Sequence, residues 1–78
     1  MDDALYAALD TLHQRFRDLA TQFRQNHAAW LEAVREDDLP RQSALIARER
    51  AILTDLREVI TASNALIAQW LQEWGGRA

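Results

Sequence analysis

This chain carries its only proline at position 40 and its only glycines at positions 75 and 76, so it can be interrupted in very few ways. Glycine and proline are the strongest local breakers of regular structure, and their confinement leaves two long uninterrupted segments. In the first, Leu5, Leu9, Leu12, Phe16, Leu19, Phe23 and Trp30 recur at alternating steps of four and three, the spacing of a helical seam. Only Asn26 breaks the rhythm. In heptad terms Leu9, Phe16, Phe23 and Trp30 form one row, and Leu5, Leu12, Leu19 and Asn26 form the other. Large rings at every seventh residue need small residues opposite them, which suits an antiparallel arrangement with the aromatic row as the internal core.

The second segment repeats the pattern, with Leu45, Ile52, Val59 and Leu66 in one seam row and Leu56, Ser63 and Trp70 in the other, where Glu49 intrudes. Beside this seam runs a third row, Leu39, Ile46, Leu53, Ile60, Ile67 and Trp74, that is apolar throughout. One apolar face can cover the first helix, but a hairpin of two helices has no further element to bury the other. The broad stripe is also what a helix in a globular core carries. In a chain of 78 residues either reading requires a second polypeptide against the third row.

Asp37-Asp38-Leu39-Pro40 reads as the connection, because acidic residues favour a helix N-terminus and proline is tolerated in a first turn. Leu39, preceding proline, is pushed away from helical geometry. The spacing predicts an all-α fold: a helix over about 3–35, a turn over about 36–39 and a helix over about 40–74, closed by Gly75-Gly76 with Arg77 and Ala78 frayed. Matched lengths imply an antiparallel, coiled-coil-like two-helix hairpin in one domain, assembling into a four-helix bundle.

Composition narrows the partners. A net charge of −3 and a pI near 5.2 leave no basic excess to neutralise a phosphate backbone, so nucleic acid is not expected. There is no apolar run of the length a membrane span requires, and Met1-Asp2-Asp3 is acidic where a secretory leader is basic, so a soluble, cytoplasmic protein is expected. Without cysteine neither disulfides nor thiolate metal sites are available, which leaves oligomerisation as the usual aid to a core this small.

The residues that carry chemistry elsewhere form no set here. His13 and His27 lie about 21 Å apart along one helix and cannot share a metal within a chain. Glu32, Glu36, Asp37 and Asp38 cluster at the hairpin tip, where solvated caps and dipole partners are the ordinary role of carboxylates. Arg15, Arg48 and Arg50 make no recognisable anion-binding set, and no nucleophile-base pair, phosphate loop or metal-binding helix motif is present. No catalytic residue, cofactor, metal or small-molecule substrate is therefore expected. Asn26, Glu49 and Ser63 either fix register as buried polar residues or lie near an open end of the seam. Trp70 and Trp74, one turn apart, either anchor an interface or pack on Leu5, Tyr6 and Leu9 of the same hairpin.

The stretch Trp30-Leu31-Glu32-Ala33-Val34-Arg35-Glu36-Asp37-Asp38-Leu39, followed by Ala44-Leu45-Ile46-Ala47-Arg48-Glu49-Arg50-Ala51-Ile52-Leu53-Thr54-Asp55-Leu56, resembles the helix-turn-helix of flagellar export chaperones. There a long helix ends at a short acidic turn and the next begins with an apolar residue before an arginine-containing amphipathic run. The resemblance spans roughly residues 28 to 60, and this sequence has no counterpart of the further C-terminal helices of those chaperones. In length and two-helix layout it is also similar to the small co-chaperones of type III secretion needle subunits. The resemblance implies a non-enzymatic partner of helical proteins, covering the apolar helix of a client. The contact strip would be Leu39, Ile46, Leu53, Ile60, Ile67 and Trp74 with Trp70. The alternative is a structural homodimer that buries the same strip on its own symmetry mate.

Overall fold

In the computed structural model, which describes residues 3–75, two α-helices pack side by side in opposite directions: α1 (Asp3–Arg35) and α2 (Leu39–Gly75). Glu36, Asp37 and Asp38 join them, and no strand occurs among the described residues. The end expected of α1 holds. The second helix begins one residue earlier than expected, at Leu39, and includes Gly75; the expectations for Gly76, Arg77 and Ala78 lie outside the described residues.

The connection is short because both helix ends are capped within it. At the end of α1, Asp38 N–H donates to the Ala33 carbonyl at 2.9 Å and Asp37 N–H to the Val34 carbonyl at 3.1 Å. This is the paired closure that a left-handed residue after a helix permits, and Asp37 supplies it with φ 56°. Asp38 then serves the next helix: its carboxylate Oδ1 accepts from Arg41 N–H at 3.1 Å, while its carbonyl accepts from Gln42 N–H at 3.0 Å. Asp38 is thus the N-cap, which draws Leu39 into the first helical position despite the proline after it. Pro40 falls within the first turn, where a missing N–H costs nothing. The acidic tip therefore holds the turn together, and Glu36 also meets Arg41 at 3.5 Å, an exposed pair worth at most about 1 kcal/mol.

An aspartate in left-handed geometry carries a penalty that glycine avoids, about 1 to 2 kcal/mol, against the larger chain entropy glycine loses on folding, roughly 0.5 to 1 kcal/mol. Asp37→Gly is therefore expected to stabilise the hairpin by about 0.5 to 1 kcal/mol, raising the thermal midpoint by a few degrees. A melt followed by circular dichroism decides it; an unchanged or lower midpoint refutes the account of the turn.

The core runs along one row of each helix. Leu19, Asn26 and Ala33 of α1 and Ile52 and Val59 of α2 are buried, with Leu45 and Leu66 half-buried at either end of the α2 row. Ala33 is fully enclosed beside the turn, and its carbonyl also accepts from Gln42 Nε2 at 3.3 Å. This corrects the expectation that the aromatic row forms the internal core. A three-residue connection forces the helices together at Ala33, which centres the contact on the row containing that small side chain. Phe16, Phe23 and Trp30 are swung to one flank, Phe16 to the point of exposure and the other two half-buried.

The outcome is a rod. Its principal extents are 61 × 15 × 13 Å and its radius of gyration is 17.9 Å, where a compact chain of this length has about 11.5 Å. No large side chain is fully buried among the described residues. A core this thin gives the isolated hairpin little to set against chain entropy.

Candidate interaction face

Helix pairing brings together two rows that the sequence separates. Leu9 and Ile67 border one groove with Leu5, Tyr6 and Trp70; Phe16 and Ile60 border the next; Trp30 and Ile46 border a third nearer the turn. The seven-residue repeat places Phe23 and Leu53 between the last two. The aromatic row of α1 and the third row of α2 therefore lie on the same side of the hairpin, in register, and form one apolar face along its length.

All six residues of the α2 row are exposed: Leu39, Ile46, Leu53, Ile60, Ile67 and Trp74, with Ile60 at 48% and Trp74 at 64%. Tyr6, Phe16 and Val34 of α1 are exposed as well. Trp70 is half-buried in the groove with Leu5, Tyr6 and Leu9, the packing anticipated for it within its own hairpin. It also stacks on Trp74, ring centroids 5.6 Å apart, so the pair extends the face to the end of α2. Isolated exposed apolar residues are ordinary, but a continuous stripe of them is uncommon on the surface of a monomer.

The opposite flank differs in kind. Ala4, Ala8, Gln69 and Glu73 border it, with Leu5, Leu66 and Trp70 at the seam, and helical periodicity brings Arg15, Gln22, Arg48 and Asp55 to the same side. The hairpin is thus two-faced, one side charged and small, the other large and apolar.

The apolar face carries two polar notches, one in each half. Near the turn, Asn26, His27 and Glu49 share a groove with Trp30, Leu45 and Ile46. Asn26 is 6% exposed and donates from Nδ2 to the Leu45 carbonyl at 2.8 Å, fixing the register of the two helices. Its Oδ1 and the indole Nε1 of Trp30 are buried without a hydrogen-bond partner, one an acceptor and the other a donor. His27 lies stacked between Phe23 and Trp30, with centroid distances of 6.4 and 5.9 Å. In the other half His13, Ser63 and Asn64 line the groove of Phe16 and Ile60. The two grooves have similar volumes, about 390 and 370 Å³.

Asn26 and Glu49 thus act in the register and groove near the turn, and Ser63 borders the distal groove. Sequence reasoning found the α2 contribution to this face and missed that of α1. The signal was available: helix axes 8–10 Å apart favour small and aliphatic side chains on the contact line, and rings the size of Phe and Trp pack more readily beside it. Among the described residues no three His, Asp or Glu side chains converge where a metal ion could sit, and no helix is long and apolar enough to cross a membrane. Comparison of the chain with family models, curated proteins and solved structures returned no significant match.

Proposed function

We propose that the chain is a non-enzymatic interaction module whose working surface is the apolar face and whose partners are amphipathic helices. The observation that carries this is the in-register alignment of Leu9, Phe16 and Trp30 with Ile67, Ile60 and Ile46 on one exposed side of the hairpin. A helix laid along the grooves would meet apolar side chains at every turn of the repeat, as in other helix-in-groove recognition. The resemblance to flagellar and type III secretion chaperones gives this surface a biological role, that of covering an apolar helix of a client in the cytoplasm until export.

A second reading, a structural homodimer, is favoured by the breadth of the face. Both helices contribute along their full length, which a second hairpin covers more completely than a single helix does. In either reading the same residues make the contact.

Titration with a synthetic tryptophan-free amphipathic helix tests the surface, because Trp30 and Trp70 border it. Saturable binding with a blue shift of tryptophan emission is expected, lost in Leu53→Asp. Absence of binding by the monomeric chain, or binding unaffected by Leu53→Asp, contradicts the reading.

A further inference from the structure

The free hairpin exposes 6102 Å², whereas a compact monomer of its 9.0 kDa mass exposes about 4,900 Å². The surplus, about 1,200 Å² per chain, lies within what each subunit of an obligate dimer contributes, roughly 1,000 to 2,500 Å². The surface that must be covered is as long as the molecule, so an occupant of equal length is required. A second copy meets that condition by construction.

We propose that the apolar face is closed by a second copy of this chain lying in the opposite direction, with the turns at opposite ends of a four-helix bundle. This rests on the reading that the apolar face is the working surface, and it names the occupant of that face when no client is present. A two-fold axis across the hairpins, midway between the Phe16–Ile60 and Phe23–Leu53 levels, superposes every apolar layer of one copy on an apolar layer of the other. The bulky Trp30–Ile46 level then meets the smaller Leu9–Ile67 level, and side-chain volume is shared evenly along the bundle.

Direction follows from the notches. If both turns lay at the same end, each level would meet itself, setting Trp30 against Trp30 and the Glu49 carboxylates at one level, with like charges close together. In the opposite direction the Asn26–Glu49 level meets the level of His13 and Asn64 in the second copy. The Glu49 carboxylate is an acceptor at the edge of its groove, and a histidine ring and a side-chain amide bring N–H donors. The two-fold axis makes this pairing occur twice.

The test uses the full chain with a single cysteine, Ser43→Cys, at an exposed site near the turn, carrying a nitroxide label. In the opposite-direction dimer residue 43 lies about 20 Å from the axis by the helical rise, so two labels sit roughly 40 Å apart. Pulsed electron resonance is expected to report that separation. Labels closer than about 25 Å would overturn the direction, and a chain with no dipolar coupling at any concentration would overturn the second copy as occupant. If uncoupled chains still bind the synthetic amphipathic helix, the interaction module stands and only this inference falls. If they bind neither, both fall.

Discussion

Ile52→Ala should lower the stability of the hairpin by about 2 to 5 kcal/mol, the range for truncating a buried isoleucine in a packed core. Ile52 is 4% exposed, and among the described residues only Leu19, Ala33 and Val59 share the apolar core at that level of burial. A chain of this length has a total stability of about 4 to 12 kcal/mol, so the substitution removes a large share of it and lowers the thermal midpoint by about 10 °C or more. The same change at Ile60, eight residues on in the same helix, is expected to leave the isolated hairpin nearly untouched, because that side chain is 48% exposed. Any loss from Ile60→Ala should depend on protein concentration, since it would act through association, whereas the loss from Ile52→Ala should not. Urea titrations of both variants at two concentrations separate the cases. Equal, concentration-independent losses would mean that Ile60 belongs to the core.

Ile60→Asp should abolish association while leaving both helices intact. A carboxylate forced into an apolar interface without a partner costs several kcal/mol, and in a two-fold assembly the cost is incurred twice. With 1.4 kcal/mol to each factor of ten, the affinity should fall by at least about a hundredfold. The residue borders the groove with Phe16 and His13 on the open side of the hairpin, so the charge stays in water in the free chain. Circular dichroism should therefore show unchanged helicity. Arg48→Asp, on the opposite flank, serves as the control and should alter neither property. Loss of helicity in Ile60→Asp would show that the α2 row is needed within the hairpin.

The architecture was legible because so few residues can break a helix here. Pro40 and the acidic residues before it fixed the connection to within a residue. The left-handed Asp37 was not legible, since the position that usually advertises such a turn with glycine holds an aspartate. The centre of the contact was misplaced for a related reason. An apolar stripe on a helix shows its breadth but not its midline, and the alanine that decides the midline, Ala33, carries almost no weight in a pattern dominated by leucine and aromatic rings. The exposed α2 row followed from counting faces: two helices cannot cover three apolar rows. That α1 adds its aromatic row to the same side depends on the hand of the pairing, which heptad spacing leaves open. The unpaired atoms of Asn26 and Trp30 depend on side-chain placement, to which spacing is blind.

The most direct measurement is the solution mass of the chain by light scattering, from nanomolar to hundreds of micromolar, with Ile60→Asp run alongside. The account predicts twice the 9.0 kDa chain mass at the upper concentrations, falling to a single chain on dilution, and a single chain throughout for the variant. A wild-type chain that stays monomeric across the range, or a dimer that Ile60→Asp leaves intact, would contradict it: the first removes the second copy from the apolar face, the second places the association surface elsewhere.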